Sequence, residues 1–108
     1  MPLESNAANI IPVAGVAVMP AMTAGSPPVA MVANLTAVAG SASTYFTLYP
    51  SDVTHAPRAS DLNPVAGEVI ANRSIAGIAQ TGASAGDVSL YNAVGTINAL
   101  LDLAGWFQ

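Results

Sequence analysis

Residues 87–107 read DVSLYNAVGTINALLDLAGWF, and the alternation within this stretch decides the fold class. Val88, Leu90 and Asn92 fall on one side and Ser89, Tyr91 and Ala93 on the other, the period of two that a strand imposes. Asn92 to Gly95 supplies turn chemistry, with a glycine that takes positive φ at no steric cost. Beyond it Ile97, Ala99, Leu101 and Leu103 share one face, and Asn98, Leu100, Asp102 and Ala104 the other. This second strand is apolar on most of both faces, the pattern of a strand buried in the middle of a layered sheet protein. The stretch predicts a hairpin as the spine of the chain, closed by Gly105 and the only tryptophan, Trp106.

Upstream, the same period recurs. Glu68 to Ile78 predicts a strand, and Gln80 to Gly86 a loop leading into the spine. Thr44 to Tyr49 sets Tyr45, Thr47 and Tyr49 opposite Phe46 and Leu48, the aromatic and β-branched residues that strands favour. Val29 to Val38 sets Met31, Ala33, Leu35 and Ala37 opposite Ala30, Val32, Asn34 and Thr36. Val13 to Met19 predicts a first strand ended by Pro20, while Met1 to Asn9 is polar and without period, as in a mobile arm. Five to eight short strands with Gly, Pro and Ser turns predict an all-β fold: an antiparallel β-sandwich or jelly-roll-like single domain with an extended N-terminal arm. The division expected is arm and first strand over residues 1–22 and sandwich over 23–108. Alanine richness makes helix the competitor, but glycine or proline interrupts each helical window within about ten residues, less than an average helix of about 11–12.

Composition narrows function by exclusion. The 108 residues suffice for one domain with a real core, burying about 65% of the unfolded chain's surface. There is no cysteine, hence no disulfide or thiolate chemistry. Charged residues make up 7% of the chain against about 25% in an average soluble domain. Lysine is absent, Arg58 and Arg73 are the only permanent cations, and the net charge is −4. No phosphate-tracking patch can be built from two arginines, so the chain is expected to bind neither nucleic acid nor an anionic membrane surface. The apolar run Ile10 to Met22 is too short to span a bilayer and is broken by Pro12 and Pro20. Glu4 and no basic residue precede it, so no export signal is read there. A surface so poor in charge predicts coverage by other subunits.

Reactive side chains concentrate in the loop 51–58, SDVTHAPR. Ser51, Asp52 and His55 offer a nucleophile, a base and an orienting carboxylate, with Arg58 beside them. Triads, however, are assembled from separate elements on a rigid scaffold, so the favoured reading is a capped loop with Asp52 on backbone amides and His55 at the surface. Asp52, Asp61, Asp87 and Asp102 with a single histidine fit neither zinc spacing nor an acidic calcium loop, and no metal or cofactor is expected. Asp102 within LLDLAGW is expected to be buried and structural, accepting backbone hydrogen bonds or pairing with Arg58 or Arg73. Tyr45, Tyr49, Tyr91 and Trp106 suit either core packing or a sugar-stacking platform. The triplets Asn34-Leu35-Thr36 and Asn72-Arg73-Ser74 match N-glycosylation acceptors, read as chance without an export signal.

Three segments carry a family likeness: VAMVANLTAVAGSASTYFTLYPSD (29–52), PRASDLNPVAGEVIANRSIAGI (57–78) and GDVSLYNAVGTINALLDLAGWF (86–107). In order and spacing they resemble a β-rich module of actinobacterial secreted and cell-surface proteins, whose strands run LNVTAV, YLTVYP, VSLYN and DVVGYF. Leu62-Asn63, Gly67, Ala71-Asn72, Ser89-Leu90-Tyr91-Asn92, Asp102 and Gly105 fall on matching positions. Glu68 stands for the usual Gln and Trp106 for the usual Tyr. The resemblance implies a non-catalytic module, and Asn63, Asn92, Asp102 and Trp106 are expected to have structural roles.

A module of this kind that begins with Met and lacks an export signal is expected to be a structural protein of an actinobacterial phage virion, made in the host cytoplasm. It would decorate the capsid or associate with the tail. The expected partners are further copies of the chain, with a trimer as the working order, and the major capsid or another virion protein. Ile10, Ile11, Val13, Val16, Val18 and Met19 on the arm are the expected contacts, adding a strand to a neighbour's sheet edge or binding the shell. The competing expectation is a carbohydrate- or cell-wall-binding module of a secreted protein, with glycan as its ligand.

Overall fold

The computed structural model describes all of residues 1–108 and is all-β, with seven strands in two antiparallel sheets. In chain order they are β1 (Pro2–Leu3), β2 (Ala7–Pro12), β3 (Ala30–Val38), β4 (Phe46–Pro50), β5 (Val69–Gly77), β6 (Asp87–Asn92) and β7 (Ile97–Phe107). One sheet runs β1-β7-β3-β5 and the other β2-β6-β4. No helix is long and apolar enough to cross a membrane.

The alternation that marks β3 in the sequence becomes its two faces. Met31, Ala33, Leu35 and Ala37 are buried between the sheets, and the residues between them are half-exposed on the outer side. Alanines at 33, 37, 76 and 99 on the four-stranded sheet face Phe46, Leu48, Val88 and Leu90 on the other. Small side chains against large ones let the layers close without voids.

The spine does not form a hairpin. β6 and β7 are strands, as the alternation predicts, but they lie in opposite sheets: β2 and β4 flank β6, while β3 pairs with β7. The turn after Asn92 is an arch from one layer to the other. Gly95 sits in it at φ +70°, where an added Cβ would lie 2.6 Å from Ser41 Oγ. Asn92, fully buried, ties the arch together. Its Oδ1 accepts from Thr44 Oγ1 at 2.7 Å, and its amide donates to the carbonyls of Glu4 and Gly95 at 3.2 and 2.8 Å.

The N-terminal segment is part of the sandwich. β1 pairs with the start of β7, and β2 pairs with β6 over six residues, Ala7 opposite Asn92 through Pro12 opposite Asp87. Leu3 is buried in the core. The first strand is thus not Val13–Met19. That segment coils through turns, with Gly15 at φ 77° and Ala17 at φ 53°. The coil tucks Met19 into the core and leaves Val16 and Val18 exposed.

Candidate functional site

Three surfaces bear on function: the reactive loop, the open side of the sandwich and the outer face of the larger sheet. In the reactive loop Ser51 and Asp52 are engaged locally. Ser51 Oγ lies 2.8 Å from Ser89 Oγ. Asp52 Oδ2 accepts from the backbone N–H of Gln80 at 2.9 Å and of Thr81 at 3.3 Å, and from Thr81 Oγ1 at 3.2 Å. The Gln80 amide in particular, with both Thr81 donors, holds the Asp52 carboxyl below the usual aspartate range against an opposing desolvation. The carboxylate that would orient His55 instead pins the loop after β5, and His55 is exposed. Asp61 likewise serves the fold: its Oδ2 accepts from Leu48 N at 2.8 Å on the outer edge of β4. No group of three or more His, Cys, Asp or Glu side chains is placed to hold a metal ion.

Asp102 is exposed, which corrects the expectation of a buried carboxylate. It stands on the outer face of β7, opposite Asn34 of β3. Asn63 is also exposed and donates to Ser60 Oγ at 3.1 Å, whereas Trp106 is half-buried against the core. Tyr49 is buried. Tyr45 and Tyr91 form a tilted aromatic pair with ring centroids 6.0 Å apart. Tyr45 also borders a shallow polar depression of about 320 Å³ with Arg58, Ser60 and Asn63.

The sandwich is open on the side where β2 ends one sheet and the part of β7 beyond β1 borders the other. Between them runs a groove of about 340 Å³ lined almost wholly by apolar side chains, among them Ile11, Val13, Val16 and Met19 from the N-terminal segment and Leu101 and Leu103 from β7. Of the six contacts expected on the arm, these four line the groove, while Ile10 and Val18 face solvent. The part of β7 in this surface was not anticipated. Its apolar character on both faces suits a central strand, and β7 is central only at its start. β1 covers it as far as Ala99, which exchanges hydrogen bonds with Met1 at 2.8 and 3.1 Å. By ladder alternation the backbone groups of Leu101 and Leu103 point the same way, toward a side that no strand occupies.

The outer face of the β5-β3-β7 sheet carries four large exposed apolar side chains. Val69, Ile75, Leu100 and Phe107 are 63%, 65%, 53% and 52% exposed and all stand on it. The architecture therefore defines a two-sheet β protein with large apolar side chains on one outer face and an open apolar groove between the sheets. No family model, curated protein or solved structure matches this chain.

Proposed function

We propose that this is a non-enzymatic structural domain that self-associates and docks onto a larger assembly, a phage capsid in the leading reading. The observation that carries it is the bare outer face of the four-stranded sheet: four large apolar side chains each more than half exposed on a chain with only 7% charged residues. Large exposed apolar side chains on either side of the polar row Arg73, Asn34 and Asp102 suit a surface that meets another protein. The engagement of Ser51 with Ser89 and of Asp52 with Gln80 and Thr81 supports a structural reading of the reactive loop. The likeness of residues 29–107 to a non-catalytic bacterial module supports the same view.

The test has two parts. Light scattering on the purified chain should give a mass above that of one copy, and co-expression with neighbouring virion genes should bring the chain down with assembled shells. A chain that stays monomeric and remains in the supernatant overturns the reading. The alternative, a glycan-binding module, draws on the depression beside Tyr45, where an aromatic face adjoins Arg58, Ser60 and Asn63. Retention on cell-wall polysaccharide that is lost on Tyr45→Ala would favour it.

A further inference from the structure

The inference rests on the self-association just proposed and gives it a face and a symmetry. Strand addition at an open edge is the obvious route for a sandwich, but the edges here carry features that discourage it: β5 has the charged Arg73 at its middle, and the β4 edge gives Leu48 N to Asp61. β2 ends in Pro12, which has no N–H to donate. β7 has an irregularity where Val32 pairs with Gly105 and Ala33 with Leu103, leaving Ala104 as an extra residue, and Asp102 stands two residues before it. Bulges and charges of this kind keep edges from pairing. The sheet face has no such protection.

The register places its side chains in rows across β5, β3 and β7. Arg73, Asn34 and Asp102 form one row, a cation at one margin and an anion at the other. In the neighbouring rows a large side chain at one margin is matched by a small one at the opposite margin: Ala71 with Leu100, Ile75 with Gly105, Gly77 with Phe107. We propose that two copies of this chain pack face to face through this surface about a two-fold axis running along β3. Such an axis exchanges the β5 and β7 margins, so each row lies on its own reverse. Arg73 of one copy meets Asp102 of the other, twice. Leu100 lies over Ala71, Ile75 over Gly105 and Phe107 over Gly77. An axis across the strands would instead set Arg73 on Arg73 and Asp102 on Asp102, which like-charge repulsion disfavours. Sheets packed in this way keep their strands within about 30° of each other. The pair is a dimer in place of the trimer expected from the sequence. Three strands about 4.8 Å apart and nine residues long give a face of about 14 by 30 Å, at the small end of specific interfaces, so association is expected to be weak, on the order of tens of micromolar.

The experiment is sedimentation equilibrium on the full chain up to several hundred micromolar, with Arg73→Asp, Asp102→Arg and their equimolar mixture. Both positions are exposed, and circular dichroism melts check that each variant folds. Wild type should dimerise, and each variant alone should associate at least tenfold more weakly, because each faces itself with two like-charged pairs. The mixture should recover wild-type association, since aspartate at 73 then meets arginine at 102, and Asp102 meets Arg73. Recovery on mixing separates contact between chains from a pair within one chain. Variants that dimerise like wild type, or a mixture no tighter than its components, overturn the face while leaving self-association standing. A monomeric wild type, even one captured by shells, overturns both the dimer and the self-association beneath it.

Discussion

Asn92 does more for this fold than its place in a turn suggests. It is fully buried, and three hydrogen bonds join the β6–β7 arch to the start of β4 and to the chain leaving β1. Truncation removes the partner of the Thr44 hydroxyl and of two carbonyls in a partly buried site, a cost that exceeds the net worth of the bonds themselves. Asn92→Ala is expected to lose about 2–3 kcal/mol, read as a melting temperature roughly 10 °C lower. Asn63→Ala, at an exposed residue with one long hydrogen bond, should stay within about 0.5 kcal/mol of wild type. Asp52 makes a pH-dependent contribution. Its carboxyl is held below the ordinary aspartate range by the amides of Gln80 and Thr81, so the native state releases this proton more readily than the unfolded chain. The stability it adds is complete above about pH 5, where the unfolded carboxyl is fully ionised, and is lost as the pH falls through the lowered native value. Melting curves of wild type and Asp52→Asn should therefore differ at pH 7 and converge toward pH 2. A constant gap would mean that the charge contributes nothing.

Among the elements, the N-terminal strands carry the clearest consequence. β1 and β2 place one strand in each sheet, and Leu3 is buried in the core. Removing residues 1–12 takes away a core side chain and bares the outer edge of β6. The truncated chain is expected to lose its cooperative melt, and Leu3→Ala alone to cost about 3 kcal/mol. A shortened chain that melts like wild type would restore the separate arm expected from the sequence. That expectation failed for a physical reason. In AANIIP the buried side is only half-buried, so Ala7, Asn9 and Ile11 give weak contrast with their neighbours. VAGVAVM alternates strongly, yet the left-handed backbone at Gly15 and Ala17 turns it into a coil. β3 and β5 were legible almost to the residue, because nine-residue strands leave little doubt about period. The β6–β7 arch was not, since Asn-x-x-Gly serves a hairpin and an arch equally well. Which it becomes is settled by partners far away in sequence. The candidate surfaces depend on pairing register in the same way: Arg73, Asn34 and Asp102 share no motif, and only the ladder aligns them.

At the scale of the whole molecule, charge is the scarce quantity. Six acids and two arginines are spread over 5485 Å² of surface, so long-range repulsion does little to keep copies apart, and one row of charges can set how they meet. If the folded dimer is the associating species and unfolded chains are separate, stability depends on concentration by mass action. Above the dissociation constant, a hundredfold rise in protein concentration adds about 1.4 kcal/mol per chain, half of the roughly 2.7 kcal/mol shared by the pair. For a domain of this size that amounts to about 5–8 °C in melting temperature. Wild type melted across such a range should show this climb, with Arg73→Asp and Asp102→Arg climbing no more than half as far over the same interval. The mixture of the two should climb again. Because melting reports on the folded state as a whole, the climb also bears on what the edges do. Association through β2 or β7 edges would raise the melting temperature of Arg73→Asp as steeply as that of wild type, since Arg73 stands on β5, away from both. An equal climb in those two samples would therefore move the contact from the sheet face to the open seam between β2 and β7.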